Sequence, residues 1–136
     1  MNAEKLAREY VALWNETGDP SAVRAFVHED IVWFEPPESP IGDVFRGRRA
    51  VEDLLREWTE NMGPTRAAIE ELVVADDEVM MRVRLDLHGT SSELDLEAPI
   101  HFVLRVREGR FDRVRVFADR DEALAAVGLG ADSQPP

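Results

Sequence analysis

Residues 94–118 read LDLEAPIHFVLRVREGRFDRVRVFA, and their period decides the architecture. Leu94, Leu96, Ala98, Ile100, Phe102, Leu104 and Val106 alternate with Asp95, Glu97, Pro99, His101, Val103, Arg105 and Arg107. Beyond Glu108-Gly109, Val114, Val116 and Ala118 alternate with Arg113, Arg115 and Phe117. Successive side chains of a strand point to opposite faces, so the stretch is an antiparallel hairpin with one apolar and one charged face. Working backwards, Val79, Met81, Val83, Leu85 and Leu87 alternate with Met80, Arg82, Arg84, Asp86 and His88. With Thr65 to Ala75 this makes four long strands, Thr65–Ala75, Val79–His88, Leu94–Arg107 and Arg110–Ala118. Asp76-Asp77 and Gly89-Thr90-Ser91-Ser92 supply the remaining turns. One face of the resulting meander is continuously apolar and needs a cover.

The cover is upstream. Leu6, Tyr10, Leu13 and Trp14 recur at i, i+4, i+7 and i+8, the stripe of an amphipathic helix that Thr17-Gly18 stops. Asp19-Pro20 opens a second, short helix with an N-cap acceptor and a proline at its first position, burying Val23, Phe26 and Val27. Val51, Leu54, Leu55, Trp58 and Met62 trace a third helix, closed by Gly63-Pro64. Asp119-Arg-Asp-Glu122 is a capping box opening a final short helix through Ala126. The expected fold is α+β: a curved, mostly antiparallel sheet with the N-terminal helices packed on its concave apolar face. Residues 1–129 form one domain in this reading, and residues 130–136, GADSQPP with Gly130 at their head, a frayed tail.

Between the second and third helices lies Ile31–Gly47, IVWFEPPESPIGDVFRG. It opens as a strand, Ile31 to Glu35, with Ile31, Trp33 and Glu35 on one face, and then breaks at Pro36-Pro37. A carboxylate at the end of an apolar strand, before prolines that cannot extend a ladder, belongs at the mouth of a cavity.

Composition narrows the function classes. The 136 residues are 44% hydrophobic and 32% charged, the balance of a globular domain. A net charge of −12 repels nucleic-acid backbones and anionic membrane, so neither is an expected partner. No apolar run approaches a membrane span. There is no cysteine, hence neither disulfide nor thiolate chemistry. Glu4, Lys5, Arg8 and Glu9 break any secretory apolar region at the start, which makes a cytoplasmic setting the default. Of the 16 basic residues only Lys5 is not arginine. Arg82, Arg84, Arg105, Arg107, Arg113 and Arg115 share the polar sheet face with Asp86, Asp95 and Glu97, a pattern that suits a homodimer interface as well as cross-strand pairing.

The order Tyr10-Val-Ala-Leu-Trp-Asn with Gly18-Asp19, Phe45-Arg-Gly47 before the third helix, the hairpin Val106–Phe111 and the ending Asp119–Leu124 with Gly128-Leu129 resembles the SnoaL-like branch of the nuclear-transport-factor-2-like superfamily, over about residues 3–129. The resemblance implies a cone of curved sheet and helices around a pocket. In the steroid Δ-isomerase-like members, a first-helix tyrosine donates to an oxyanion and an acid before proline, at the end of the first strand, is the base. Tyr10 and Glu35-Pro36 fall on those positions. A third position, on the penultimate strand, carries Asp or His in relatives. Alternation puts Phe102 there, whereas a shift by one residue would put His101 there and turn Leu104 and Val106 outward unless a bulge intervened.

The candidate catalytic residues are therefore Glu35 and Tyr10, with Trp14, Trp33, Trp58, Met81, Val83, Phe102, Val114 and Val116 as pocket wall. The bland alternatives are a solvated rim carboxylate for Glu35 and an internally satisfied hydroxyl for Tyr10. His28 near the end of the second helix, His88 beside a turn and His101 on the polar face have no metal-ligand spacing, and no phosphate- or dinucleotide-binding fingerprint is present. The expected ligand is a hydrophobic small molecule, with no metal and no cofactor. If the chain is an enzyme, the expected chemistry is a cofactor-free proton transfer (isomerisation, cyclisation, dehydration or epoxide hydrolysis), and the competing class is a non-catalytic ligand-binding or dimeric scaffold module.

Overall fold

The computed structural model describes residues 3–36, 44–62, 66–86 and 99–127. Helix α1 spans Ala3–Thr17, a 3-10 turn Pro20–Ala25, strand β1 Val27–Phe34, β2 Val44–Arg46 and helix α2 Arg48–Met62. Strands β3 Arg66–Ala75, β4 Glu78–Asp86, β5 Ile100–Arg107 and β6 Arg110–Phe117 follow, then helix α3 Arg120–Ala126. One six-stranded sheet, curved and open, runs in the order β2-β1-β6-β5-β4-β3. Every neighbouring pair is antiparallel except β1 with β6, so the α+β reading holds. The expected strand residues Thr65, Leu87–His88 and Leu94–Ala98, the helix terminator Gly128-Leu129 and the tail 130–136 lie outside the described residues.

The inner face buries what alternation assigns to it. Val79, Met81, Val83, Leu104, Val106 and Val114 join Ala7, Val11, Ile31, Val51 and Leu54 in one core beneath α1 and α2. Asn15 fastens α1 across the edge of the sheet as a further strand would. Its amide nitrogen donates to Ala67 O at 2.8 Å and its Oδ1 accepts from Ala67 N at 2.7 Å. Glu52, 4% exposed, ties α2 to the 3-10 turn by accepting from Arg24 and from Arg56, the latter at 2.7 Å.

Four local expectations are corrected. The second helix is only a 3-10 turn: Asp19 caps it through Ser21 N at 2.9 Å, and Phe26 N closes on Val23 O. Val27 and His28 belong to β1 instead, because Val27 pairs with Phe111 across the parallel seam and β-branched residues suit a strand. The first strand therefore runs from Val27 to Phe34 and stops one residue before Glu35. The three-residue β2, which shows no period, exists because Val44, Phe45 and Arg46 pair with Phe34, Trp33 and Val32. Gly47 then turns the chain into α2 at φ 92°, where only glycine is comfortable.

The fourth correction concerns the outer face, which is not purely charged. Met80 and Val103 point outward by parity yet are fully buried, because α3 lies on them through Ala123 and Val127. Around this patch the arginine lattice is satisfied within the chain. Arg120 pairs with Glu71 at 2.7 and 2.8 Å, Arg84 with Glu70 at 2.8 Å, and Arg113 and Arg115 share Glu78 at 2.7 and 3.0 Å.

Two bulges supply the carboxylates. The β3–β4 register shifts between Ile69 and Glu71, and the β5–β6 register shifts between Arg105 and Val106, leaving Asp112 as the extra residue of β6. Asp112 turns outward with Arg113 and accepts from Arg105 at 2.8 and 2.9 Å and from Arg107 at 2.9 Å. Burial alone pushes its carboxyl up, but the hydrogen bonds and charges of Arg105 and then Arg107 outweigh it and leave the group below the ordinary carboxylate range. The folded state thus favours the ionised form. The stability this contributes is complete above the unfolded value of about 3.9 and is lost as pH falls through the folded one. Asp112→Asn should be less stable than wild type at pH 7, with the gap narrowing below about pH 4. Urea unfolding at pH 7 and pH 3 measures it, and an unchanged gap would show that the ion pair contributes nothing.

Candidate functional site

Strand β1 runs apolar to Phe34 and ends because Pro36 has no N–H to offer a neighbour. Trp33 and Glu35, two residues apart, share its inner face. The Trp33 indole Nε1 donates to Glu35 Oε2 at 2.7 Å, which fixes the carboxylate against the sheet's concave side. Helix α1 brings Tyr10 and Trp14 to the same place on its buried stripe, and α2 brings Leu54, Leu55 and Trp58.

Between these helices and the sheet lies a cavity of about 170 Å³. Its wall contains Tyr10, Trp14, Trp33, Glu35, Trp58, Met81, Phe102, Val114 and Val116, nine of the ten residues expected from sequence. Val83, the tenth, is 2% exposed in the core and does not reach the wall. Parity gave its face correctly, but Met81 and Leu85 on the same strand face reach the wall and Val83 does not. Phe26, Ile100 and Phe111 also line the cavity, and sequence had marked Phe26 and Ile100 only as core. Phe111 was recoverable only with knowledge of the bulge that follows it.

Among the described residues nineteen line the wall, and Glu35 and Tyr10 are the only ionisable ones among them. The Tyr10 ring packs on Phe26 with centroids 5.3 Å apart, and Trp33 meets Phe102 edge-on at 6.1 Å. The Tyr10 hydroxyl makes no hydrogen bond to a described residue. Burial pushes its pKa well above the ordinary phenol value, so it stays protonated and can donate a hydrogen bond but not act as a base. Glu35 is the complementary group, an acceptor of protons or of donors.

Phe102 faces this cavity and His101 does not. The ladder from β4 to β5 is unbroken from Glu78↔Arg105 to Val83↔Ile100, and the nearby bulge inserts its extra residue in β6, leaving β5 in phase. His101 is instead buried on the outer face at 2% exposure, its Nδ1 3.3 Å from Phe117 O. His28 sits in β1 rather than at a helix end, with Nε2 3.1 Å from Glu108 Oε1.

The model of the SnoaL-like domain family matches residues 7–114. No curated protein matches the chain. Among solved structures, a cystatin-like-fold protein of Xanthomonas campestris is 22% identical with a TM-score of 0.71, covering 96% of this chain and 99% of its own. A protein of ketosteroid isomerase-like fold from Catenulispora acidiphila, in complex with trimethylamine, is 20% identical with a TM-score of 0.67, covering 98% and 100%. A de novo designed protein with a curved β-sheet is 20% identical with a TM-score of 0.66, covering 93% and 94%. At such identities the likeness is one of fold. No helix among the described residues is long and apolar enough to cross a membrane.

Proposed function

The chain belongs to the SnoaL-like domain family, and on that premise we propose that its cavity binds a hydrophobic small molecule and promotes a cofactor-free proton transfer on it in the cytoplasm. One observation carries this reading: among the described residues of the wall, the only ionisable side chains are one acceptor and one protonated donor. Glu35 takes a proton from the ligand, and the Tyr10 hydroxyl stabilises the oxygen on which charge develops. Isomerisation, cyclisation, dehydration and epoxide hydrolysis all reduce to this pair of tasks. Desolvation by the apolar wall strengthens both interactions. Native mass spectrometry of the protein as purified, followed by denaturing extraction, tests the binding step: a retained hydrophobic compound is expected, and failure of every apolar compound to bind would overturn the reading.

A second reading, a non-catalytic binding or dimeric scaffold module, is favoured by Phe102. That position holds an apolar ring where an additional donor would complete an isomerase site, and one absent oxyanion donor typically costs about 2.7–4 kcal/mol of barrier. The outer sheet face suits the dimeric form. Its arginines are paired within the chain, yet the side chains of Arg84 and Arg107 stay about half exposed, and a facing copy could present further carboxylates to them. Light scattering at micromolar concentration should give twice the 15.4 kDa chain mass. A monomer there would end the idea.

A further inference from the structure

The aromatic residues of this chain are not spread evenly through its interior. Of ten (three Trp, one Tyr and six Phe), seven stand in the cavity wall: the three tryptophans, Phe26, Phe102, Phe111 and Tyr10. The core beside the cavity is built differently, from Ala7, Val11, Ile31, Val51, Val79 and Val83. Small aliphatic side chains close that part of the interior, so apolarity alone does not account for the rings around the cavity. Within the wall, Tyr10 and Phe26 meet at 59° and Trp33 and Phe102 at 72°. Rings set at such angles do not stack flat on one another, and an aromatic guest beside them finds edges as well as faces to pack against.

Two further features set the size and polarity of the guest. The space is about 170 Å³. A cavity of about 150 Å³ accommodates a benzene ring, so there is room for one six-membered ring with a short substituent and not for two fused rings. The Tyr10 hydroxyl makes no hydrogen bond to a described residue, and burial keeps it protonated. A hydrocarbon guest would displace water from that O–H and give it nothing in return. A carbonyl oxygen supplies the acceptor and brings no hydrogen that needs a partner of its own.

We propose that the cavity selects a single aromatic ring bearing a conjugated carbonyl group, with the ring among the tryptophans and phenylalanines and the oxygen accepting from Tyr10. The proposal rests on the small-molecule reading above and gives it a ligand class.

Acetophenone and three relatives separate the parts of this proposal. α-Methylstyrene replaces the C=O by C=CH₂ at nearly the same shape, cyclohexyl methyl ketone keeps the carbonyl but not the aromatic ring, and 2-acetonaphthone adds one fused ring. All three tryptophans of the chain line the cavity, so the indole N–H resonances of ¹⁵N-labelled protein follow each titration. Acetophenone should bind wild type roughly tenfold more tightly than α-methylstyrene, and about threefold or more tightly than the other two ketones. Tyr10→Phe keeps the ring that packs on Phe26 and removes only the hydroxyl. It should bring acetophenone and α-methylstyrene within about threefold of each other by weakening the ketone alone. Equal binding of acetophenone and α-methylstyrene to wild type, an undiminished preference in Tyr10→Phe, equal binding of the cyclohexyl ketone, or tighter binding of 2-acetonaphthone each overturns the proposal while leaving a hydrophobic site standing. Binding of none of the four overturns the proposal and the small-molecule reading together.

Discussion

Glu35→Gln lowers the turnover of any substrate this protein acts on by about 10²–10⁴-fold, the usual contribution of a positioned acid or base. The substitution is conservative where it counts. A glutamine oxygen can still accept the Trp33 indole N–H that now reaches Glu35 Oε2 at 2.7 Å, so the rotamer and the wall are retained. What disappears is the ability to accept a proton. Tyr10→Phe should lower turnover by about 10²-fold, because it removes a donor and leaves the base. The buried Tyr10 phenol ionises above its ordinary value, so Tyr10→Phe should leave the shape of the pH profile below about pH 9 unchanged. Steady-state rates across pH 4–9 on the wild type and both variants, with tryptophan emission as the control for folding, measure all of this. Wild-type turnover and ligand affinity in Glu35→Gln would make the carboxylate a rim residue and remove the best support for an enzymatic role.

What sequence revealed, and what it hid, follows from the range of the forces involved. Strand parity is local, and it placed Met81, Phe102, Leu104 and Val114 inward correctly because a pleated backbone has only two faces. The same rule could not see that α3 would cover Met80 and Val103, since burial of an outward residue depends on a helix some 20 residues downstream in sequence from Val103. Nor could it see the bulges. Glu70-Glu71 and Asp112-Arg113 put consecutive charged residues on one face, which breaks alternation and is enforced only by the partner strand. Strand β2 and the parallel seam Val27↔Phe111 are likewise products of pairing, absent from any period. For the cavity wall, strand-end position and helical stripe put Glu35, Tyr10 and the three tryptophans on faces that meet at one cavity. Depth along a strand is not encoded in parity, and so Val83 was indistinguishable from Met81 until both were seen in place.

Phe111→Ala should destabilise the fold by about 3–5 kcal/mol, the range for truncating a buried phenylalanine. Phe111 is 2% exposed and stands where three constraints meet. Its backbone N–H donates to Phe26 O at 2.8 Å, its Cα pairs with Val27 across the parallel seam, and its ring forms part of the cavity wall. The bulge at Asp112 immediately after it holds the ring inward while Asp112 and Arg113 both face out, so the neighbouring backbone is not free to collapse into the space a methyl group leaves. Little relaxation means that the lost contacts and the new void are both felt in full. Against a typical domain stability of about 5–15 kcal/mol this is a large fraction, and the variant should unfold at a much lower urea midpoint with an unchanged slope. Because the void opens onto the cavity, an apolar compound that fills both should bind the variant and recover part of the loss, by an amount that rises with its concentration. A loss below about 1 kcal/mol would show that the ring can be replaced by repacking, and that β1 and β6 are held together by their backbone alone.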